Sequence, residues 1–463
     1  MYELNTLKKL RIRLKAFRAK RATRSEIEAR QKRRLEELLT FVVRQSRFYK
    51  RQYRGVERPI TTLEALPPVT KPMLMDNFDD VVTDTAVTRD EVDAFVGDPS
   101  KIGHRFLGQY PVWTTSGTTG RPGIFLQDEY ALTATDAVGD RWSLPAFLDI
   151  ETMHKLVRHN FKTAEIAVTG GHYAAASGVA LFQRERPFLR TRIRLFSPKR
   201  PLSELVADLN AYQPAILVGY ATVLKELAHE QADGRLQLTP AFITPSGESV
   251  SDVEKGELSR AFDCPVRENY GATEFYSLAS ECDYGNLHAN TDWVVLEPVD
   301  ENYQPVERGT PSETVLLTNL ANRIQPIVRY DLGDSVTMYD EPCQCGSPFP
   351  VIEIEGRQGD VLHFDTEEEG SVPIFPLAIS SVVEEIPGVR RTQIVQTDSR
   401  SLRVRLAVTD DTDEQAVWEE TERKLGAFLN TQSVTDIHLE RGAEPPRRDP
   451  KSGKFRHVWA EGE

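Results

Sequence analysis

Cysteine is scarce, with four in 463 residues, too few for a disulfide scaffold and in keeping with a reducing compartment. Long apolar runs are missing as well. A bilayer span needs about 18 or more consecutive apolar residues, and the best run here, Ala215 to Ala221, is strand-sized. The segment Met1 to Arg21 is basic from Lys8 onward and lacks the continuous apolar stretch of a signal peptide. A cytoplasmic chain without a transmembrane segment is therefore the expectation. Proline and glycine stand at 28 each, which excludes a fibrous or low-complexity chain. Positive charge is also in deficit: 57 Lys and Arg against 70 Asp and Glu give a net charge of −13, so the surface as a whole is unsuited to gripping nucleic acid. No internal repeat is present.

The charge is unevenly placed. Residues 1–54 hold 18 Lys and Arg against 5 Asp and Glu, a local excess of +13 that leaves the other 409 residues at −26. Within this arm Leu7, Leu10, Leu14 and Phe17 recur at spacings of three and four, the signature of a helix with one apolar stripe. Two readings fit: the stripe packs on its own domain, or it faces an anionic surface or a protein partner. Specific nucleic-acid binding is not expected, because the arm carries no base-reading motif. A second helical pattern follows at Leu35, Leu38, Leu39, Val42 and Val43.

From Pro67 the texture alternates. Short apolar runs (Ala215 to Tyr220, Ala241 to Thr244, Thr314 to Thr318) read as buried strands, with amphipathic stretches at Leu202 to Tyr212 and Thr222 to Gln231 between them. This predicts an α/β body with mainly parallel sheets. After Gly356-Arg357 come an acidic turn, a helix over Leu377 to Ile386, a strand at Leu402 to Val408 and a helix over Glu414 to Leu429. The predicted organisation is a basic helical arm (1–54), a large domain (55–356) and a small α+β carboxyl-terminal domain (357–463).

Residues 113–123 read Trp-Thr-Thr-Ser-Gly-Thr-Thr-Gly-Arg-Pro-Gly. Glycines that let backbone N–H groups converge, hydroxyls and one cation suit a phosphate-wrapping loop, although the Walker spacing is absent. Cys282-x5-His288 and Cys343-x-Cys345 offer three thiolates and an imidazole, the donor set of a closed tetrahedral zinc site, structural because four protein ligands leave no open position. The alternative is free cysteines in loops.

The Trp113 to Gly123 loop resembles the phosphate-binding signature of the adenylate-forming superfamily, the acyl- and aryl-CoA ligases and their relatives. Further segments follow in that family's order. Glu268-Asn-Tyr-Gly-Ala-Thr-Glu274 resembles its aromatic-Gly-x-Thr-Glu motif, Arg329-Tyr-Asp-Leu-Gly-Asp334 its ribose-aspartate motif, Gly356-Arg357 the start of its hinge, and Ser452-Gly453-Lys454 with Arg456 its carboxyl-terminal lysine motif. Cys343-Gln-Cys345-Gly346, Asn286-Leu-His288 and Arg47-Phe-Tyr49 look most like the phenylacetate-CoA ligase branch, which includes capsule-biosynthesis relatives.

The resemblance implies a large ATP-binding domain with a small mobile lid, and a reaction in which a carboxylic acid displaces pyrophosphate from ATP before a thiol, most often coenzyme A, captures the acyl group. It implies ATP contacts from Thr115, Ser116, Gly117, Thr118, Thr119, Gly120 and Arg121, and from Ser246, Gly247 and Glu248. Asn269 and Tyr270 would meet adenine, Asp334 the ribose, and Arg357 the ribose or a phosphate. Thr273 would contact the α-phosphate, Glu274 would hold Mg²⁺, and Lys454 would bridge carboxylate and α-phosphate. Tyr220, Gly271, Ala272 and Phe275 would line the pocket of an aromatic or other small-molecule acid. Transfer to an amine, hydroxyl or carrier protein, or a non-catalytic nucleotide-binding scaffold, stays open, as does a homodimer. Two departures stand out: Arg121 replaces the family's usual Lys, and Gly359 occupies the expected pivot position of the hinge.

Overall fold

A computed structural model describes residues 6–115, 123–146, 149–248, 250–355, 360–366, 370–409, 412–447 and 456–461. The chain divides into two compact units, each assembled from separated segments.

Unit 1 comprises Met1–Trp113, Ile124–Met153 and Arg267–Gly356. Its first helices are α1 (Thr6–Ala19) and α2 (Arg24–Gln45). A capping box starts α2: the Thr23 side chain accepts from the Glu26 N–H, and the Glu26 carboxylate accepts from the Thr23 N–H at 2.8 Å. The predicted stripe Leu35, Leu38, Leu39, Val42 and Val43 is buried in the core of the unit. In α1 the outcome differs. Ile12, Ala16 and Ala19 are buried as α1 packs on the helix Glu129–Ala146, whereas Leu7, Leu10, Leu14 and Phe17 face solvent. The reading in which that stripe packs on its own domain is corrected accordingly.

The two larger sheets of the unit are antiparallel. One has the order Ser335–Tyr339, Val351–Glu355, Leu287–Ala289, Phe275–Glu281, Asn269–Ala272. The other has the order Val294–Val299, Thr314–Asn319, Tyr330–Asp331. The strand Thr314–Asn319 is buried along its whole length. A second, fully buried feature is ionic: Arg141 donates through Nη1 to both carboxylate oxygens of Asp292 at 3.0 and 3.1 Å and through Nη2 to Asn290 Oδ1 at 2.6 Å.

Unit 2 comprises Thr114–Gly123, His154–Val266 and Arg357–Glu463. Its parallel sheet has the order Ile193–Phe196, Thr163–Ile166, Ile216–Gly219, Phe242–Pro245, and helices including Leu202–Tyr212, Ala221–Ala232 and Asp252–Phe262 connect or flank these strands. The expected αβ alternation is realised here almost residue for residue. The carboxyl-terminal part carries a four-stranded sheet, His438–Arg441, Ser401–Val408, Val389–Asp398, Val458–Ala460, antiparallel at its centre and parallel at both edges. The helices Pro376–Glu384 and Glu414–Thr431 accompany it, and one apolar cluster includes side chains of both parts of the unit. No helix among the described residues is long and apolar enough to cross a membrane.

Candidate functional site

In unit 1 the hairpin formed by Asn269–Ala272 and Phe275–Glu281 presents Thr273 and Glu274 at its turn. Gly271 makes that turn achievable: a Cβ on it would sit 2.1 Å from the Tyr276 carbonyl oxygen, so no larger residue fits. The Glu274 backbone is pinned, its carbonyl accepting from Asn319 Nδ2 at 3.0 Å and from Gln127 Nε2 at 3.5 Å. Glu274 is only 5 % exposed. Burial raises its pKa above the ordinary carboxylate value; the charge of Lys71 and a hydrogen bond from Tyr330 oppose the rise, and the charge of Asp334 adds to it.

Tyr270 Oη donates to Asp334 Oδ2 at 2.8 Å, so the predicted adenine-flanking and ribose-binding residues touch. Asp334 follows Gly333, whose φ of +74° is open to glycine and strained for most other residues. The Gly333 N–H donates to Thr314 Oγ1 and to Asp331 Oδ1, both at 3.0 Å, which fixes the loop. Asn269 is committed locally: its amide donates to the Tyr276 carbonyl at 3.1 Å and accepts from Ser280 Oγ at 2.9 Å. Phe275 is buried in the apolar core of the unit, and Ala272 is half-buried at the hairpin. Hence Tyr270, Glu274 and Asp334, from two segments far apart in sequence, share one polar cluster. Sequence reasoning gave no role to Tyr330 or Lys71. Tyr330 lies inside the Arg329 to Asp334 segment already singled out, but nothing in the spacing ties Lys71 to Glu274.

In unit 2 Thr115 forms the described end of the hydroxyl-rich loop, its N–H donating to the Gly123 carbonyl at 2.9 Å and its Oγ1 accepting from the Gly123 N–H at 3.0 Å. Ser116, Gly117, Thr118, Thr119, Gly120, Arg121, Arg357, Gly359 and Lys454 lie outside the described residues. Ser246 donates its N–H to the Gly219 carbonyl at 2.9 Å. Gly247, at φ +75°, passes so close to Tyr220 that a Cβ would lie 3.1 Å from its ring. Tyr220 Oη accepts from the Val168 N–H at 3.1 Å. Glu248 uses both carboxylate oxygens on Thr222: Oε2 accepts from the Thr222 N–H at 2.9 Å and from its Oγ1 at 2.8 Å, and Oε1 lies 3.1 Å from the same hydroxyl. It thereby satisfies a first-turn N–H of the helix Ala221–Ala232.

The second cluster of unit 1 brings together all four predicted metal ligands. The donor atoms of Cys282, His288, Cys343 and Cys345 lie within 4.8 Å of one another. Cys282 Sγ and Cys343 Sγ are 3.8 Å apart, and Cys345 Sγ and His288 Nε2 are 3.2 Å apart. A tetrahedral centre with Zn–S bonds of about 2.3 Å separates its sulfurs by roughly 3.8 Å. His288 Nδ1 faces the Phe349 carbonyl at 2.8 Å, which leaves Nε2 turned toward the sulfurs, and burial lowers the imidazole pKa so that the neutral, ligating form is favoured. The N–H groups of Tyr284, Cys345 and Ser347 point at the sulfurs of Cys282, Cys343 and Cys345 at 3.4, 3.5 and 3.4 Å, an arrangement that stabilises thiolates. Trp142 stacks on His288 with centroids 5.3 Å apart and an interplanar angle of 13°.

No family model matches the chain. Protein CapK of Staphylococcus aureus is 24 % identical over 434 residues, covering 89 % of this chain and 84 % of CapK. The crystal structure of 2-hydroxyisobutyryl-CoA ligase in complex with 2-HIB-AMP and CoA, in its thioesterification state, superposes with a TM-score of 0.56 at 18 % identity, covering 96 % of this chain and 91 % of that one. The same ligase in its postadenylation state gives a TM-score of 0.54 at 19 % identity, over 95 % and 91 % of the two chains. The ordered motifs, the placement of Tyr270, Glu274 and Asp334 in one cluster, and these superpositions agree that the chain has the adenylate-forming fold.

Proposed function

We propose that the protein activates a carboxylic acid with ATP and passes the acyl group to a thiol, most simply coenzyme A. The observation that carries this reading is the cluster in which Tyr270 bonds to Asp334 while buried Glu274, its pKa raised, lies in the field of that same aspartate. A buried carboxyl in the field of a second, half-buried one favours a cation or a hydrogen-bond donor from outside the chain. Glu274 suits Mg²⁺ on this ground, since hard carboxylate oxygens are its preferred ligands, and the bound ion would supply positive charge beside the phosphates. Asp334, an acceptor through two oxygens, suits the ribose hydroxyls. Tyr270, anchored through its hydroxyl, offers its ring to a base.

In this reaction an oxygen of the acid attacks the α-phosphorus and pyrophosphate leaves; a thiolate sulfur then attacks the acyl carbon and AMP leaves. Lys454 and Arg121 are assigned to charge neutralisation in the first step, and Thr115 to Gly120 to holding phosphate through N–H and hydroxyl donors. Gly271, Ala272 and Phe275, in unit 1, are assigned to shaping the acid pocket. We place the chain with the phenylacetate-CoA ligase-like and capsule-biosynthesis branch on Cys343-Gln-Cys345-Gly346 and Asn286-Leu-His288, in line with the likeness to CapK.

The test is exchange of labelled pyrophosphate into ATP across a panel of aliphatic and aromatic acids. At least one acid supports exchange, and Lys454→Ala reduces it by about 100- to 1,000-fold. Normal ATP binding with no exchange for any acid would overturn the reading. Thioester formation on adding CoA identifies the acceptor. We further propose that Cys282, His288, Cys343 and Cys345 hold a structural zinc ion, in line with their donor set and mutual spacing.

A further inference from the structure

The face of α1 that Leu7, Leu10, Leu14 and Phe17 form is exposed, at 72, 52, 47 and 39 %. At about 100° per residue these four fall within an arc of roughly 80°. Arg18, Arg11 and Lys15 occupy the neighbouring arc; they are exposed, and no carboxylate pairs with them among the described residues. The opposite side of the helix does the packing: Ile12, Ala16 and Ala19 are buried, Lys9 pairs with Glu129, and Arg13 lies 3.8 Å from both Asp136 and Asp140. The acidic row of the helix Glu129–Ala146 thus anchors one basic edge of α1 and turns the leucines outward.

From this arrangement we infer that α1 lies in the interface of an anionic lipid bilayer, its leucines and Phe17 in the acyl boundary and its free basic edge on the headgroups. Charge complementarity selects this occupant. The helix carries six basic and no acidic residues, so two copies meeting stripe to stripe would bring basic edges together. A bilayer offers an apolar layer beneath an anionic one, the order in which stripe and cations stand on α1. Nucleic acid would meet the cations but leave four large apolar side chains unmatched.

The test uses the full chain in co-sedimentation with vesicles. Those of equal parts phosphatidylserine and phosphatidylcholine bind the protein, and phosphatidylcholine alone binds it at least about tenfold more weakly because the surface charge is missing. The double variant Leu10→Glu, Leu14→Glu loses about tenfold or more of the binding to the mixed vesicles. Its circular dichroism and thermal midpoint stay those of the parent, as both positions are exposed. Arg11→Glu, Lys15→Glu, Arg18→Glu abolishes the preference for phosphatidylserine. Equal binding of the parent to both vesicles, or unchanged binding by the leucine variant, overturns the proposal. So does a lipid-free dimer, seen by sedimentation velocity, that the leucine variant dissolves, since the occupant is then a second copy.

Discussion

Asp292 and Glu274 are both buried carboxylates of unit 1, at 1 and 5 % exposure, yet their surroundings are opposite. Asp292 receives both Nη1 contacts of Arg141 and an ion pair from Arg34 at 3.7 Å, while Nη2 of Arg141 is shared between Asn290 and Asp292 Oδ1. Its charge is neutralised from within the chain. Burial raises the pKa of Glu274; the charge of Lys71 and a hydrogen bond from Tyr330 oppose the rise, and the like charge of Asp334 adds to it. A structural ion pair is complete as folded, whereas a ligand site keeps a charge imbalance that its ligand removes. By this contrast Asp292 is scaffold, and Glu274 has the imbalance that the proposed ligand site requires.

Breaking the complete pair gives the largest expected effect. Arg141→Ala strands Asp292 without its main partner and costs about 3–5 kcal/mol of stability, read by urea denaturation. Residual activity per folded molecule stays at the parental level. An undiminished midpoint would show that water or Arg34 alone satisfies Asp292. Glu274→Gln sharpens the comparison from the other side. Pyrophosphate exchange falls on the order of 100- to 1,000-fold, while the ligand-free protein becomes no less stable. A raised folded pKa means that the ionised form is penalised on folding, so Gln stabilises above the unfolded carboxyl pKa and loses that advantage as pH falls below it. A Gln variant that is inactive and unfolded at neutral pH would place Glu274 with Asp292 as scaffold.

The Cys and His cluster is a third arrangement, complete in donors, where the charge of Lys20 reaches Cys282 and Cys345 but one cation cannot match three thiolates. Purified protein is expected to hold one zinc per chain, and Cys343→Ser to hold none. Saturating zinc at about 100 times its dissociation constant stabilises by roughly 2.7 kcal/mol, so chelation lowers the thermal midpoint. A metal-free parent with an unchanged midpoint would reassign the cluster to packed thiols.

How much of this was legible in the sequence depends on how local each signal is. The stripe of α2 could be read directly, because i, i+3 and i+4 neighbours meet within one helix; its equally local Thr23 to Glu26 cap went unread. The four zinc donors were legible by type, but 54 residues separate His288 from Cys343. What closes the gap is sheet register: Val351 pairs opposite His288 as Val351–Glu355 runs antiparallel to Leu287–Ala289. No single-sequence pattern specifies that pairing. In α1 the period showed an apolar stripe and could not say which face would be covered. The smaller face of Ile12, Ala16 and Ala19 was taken because Glu129, Asp136 and Asp140 captured Lys9 and Arg13 beside it. The placement of Lys71 near Glu274 is tertiary throughout, and so was invisible.

Glu248 gives the finest and smallest test, since it is half-buried, its carboxylate is hydrogen-bonded, and no cation pairs with it among the described residues. Burial pushes its pKa from 4.5 to about 7; bonds from the Thr222 N–H and hydroxyl oppose the shift, Glu254 adds to it, and Lys225 reduces it. Below the unfolded pKa the carboxyl is protonated in both states and contributes no penalty. Between about 4.5 and 7 the folded state takes up the proton that the unfolded state has lost, so stability falls with rising pH; above about 7 the full penalty persists. Glu248→Gln keeps an oxygen to accept from Thr222 and removes the charge. It should therefore be more stable than the parent by on the order of 1–2 kcal/mol at pH 8 and by almost nothing at pH 4, with denaturant midpoints as the measure. The same difference at both pH values would mean that Glu248 is wetted and titrates alike in the folded and unfolded states, and its bonds to Thr222 would then be an ordinary surface cap.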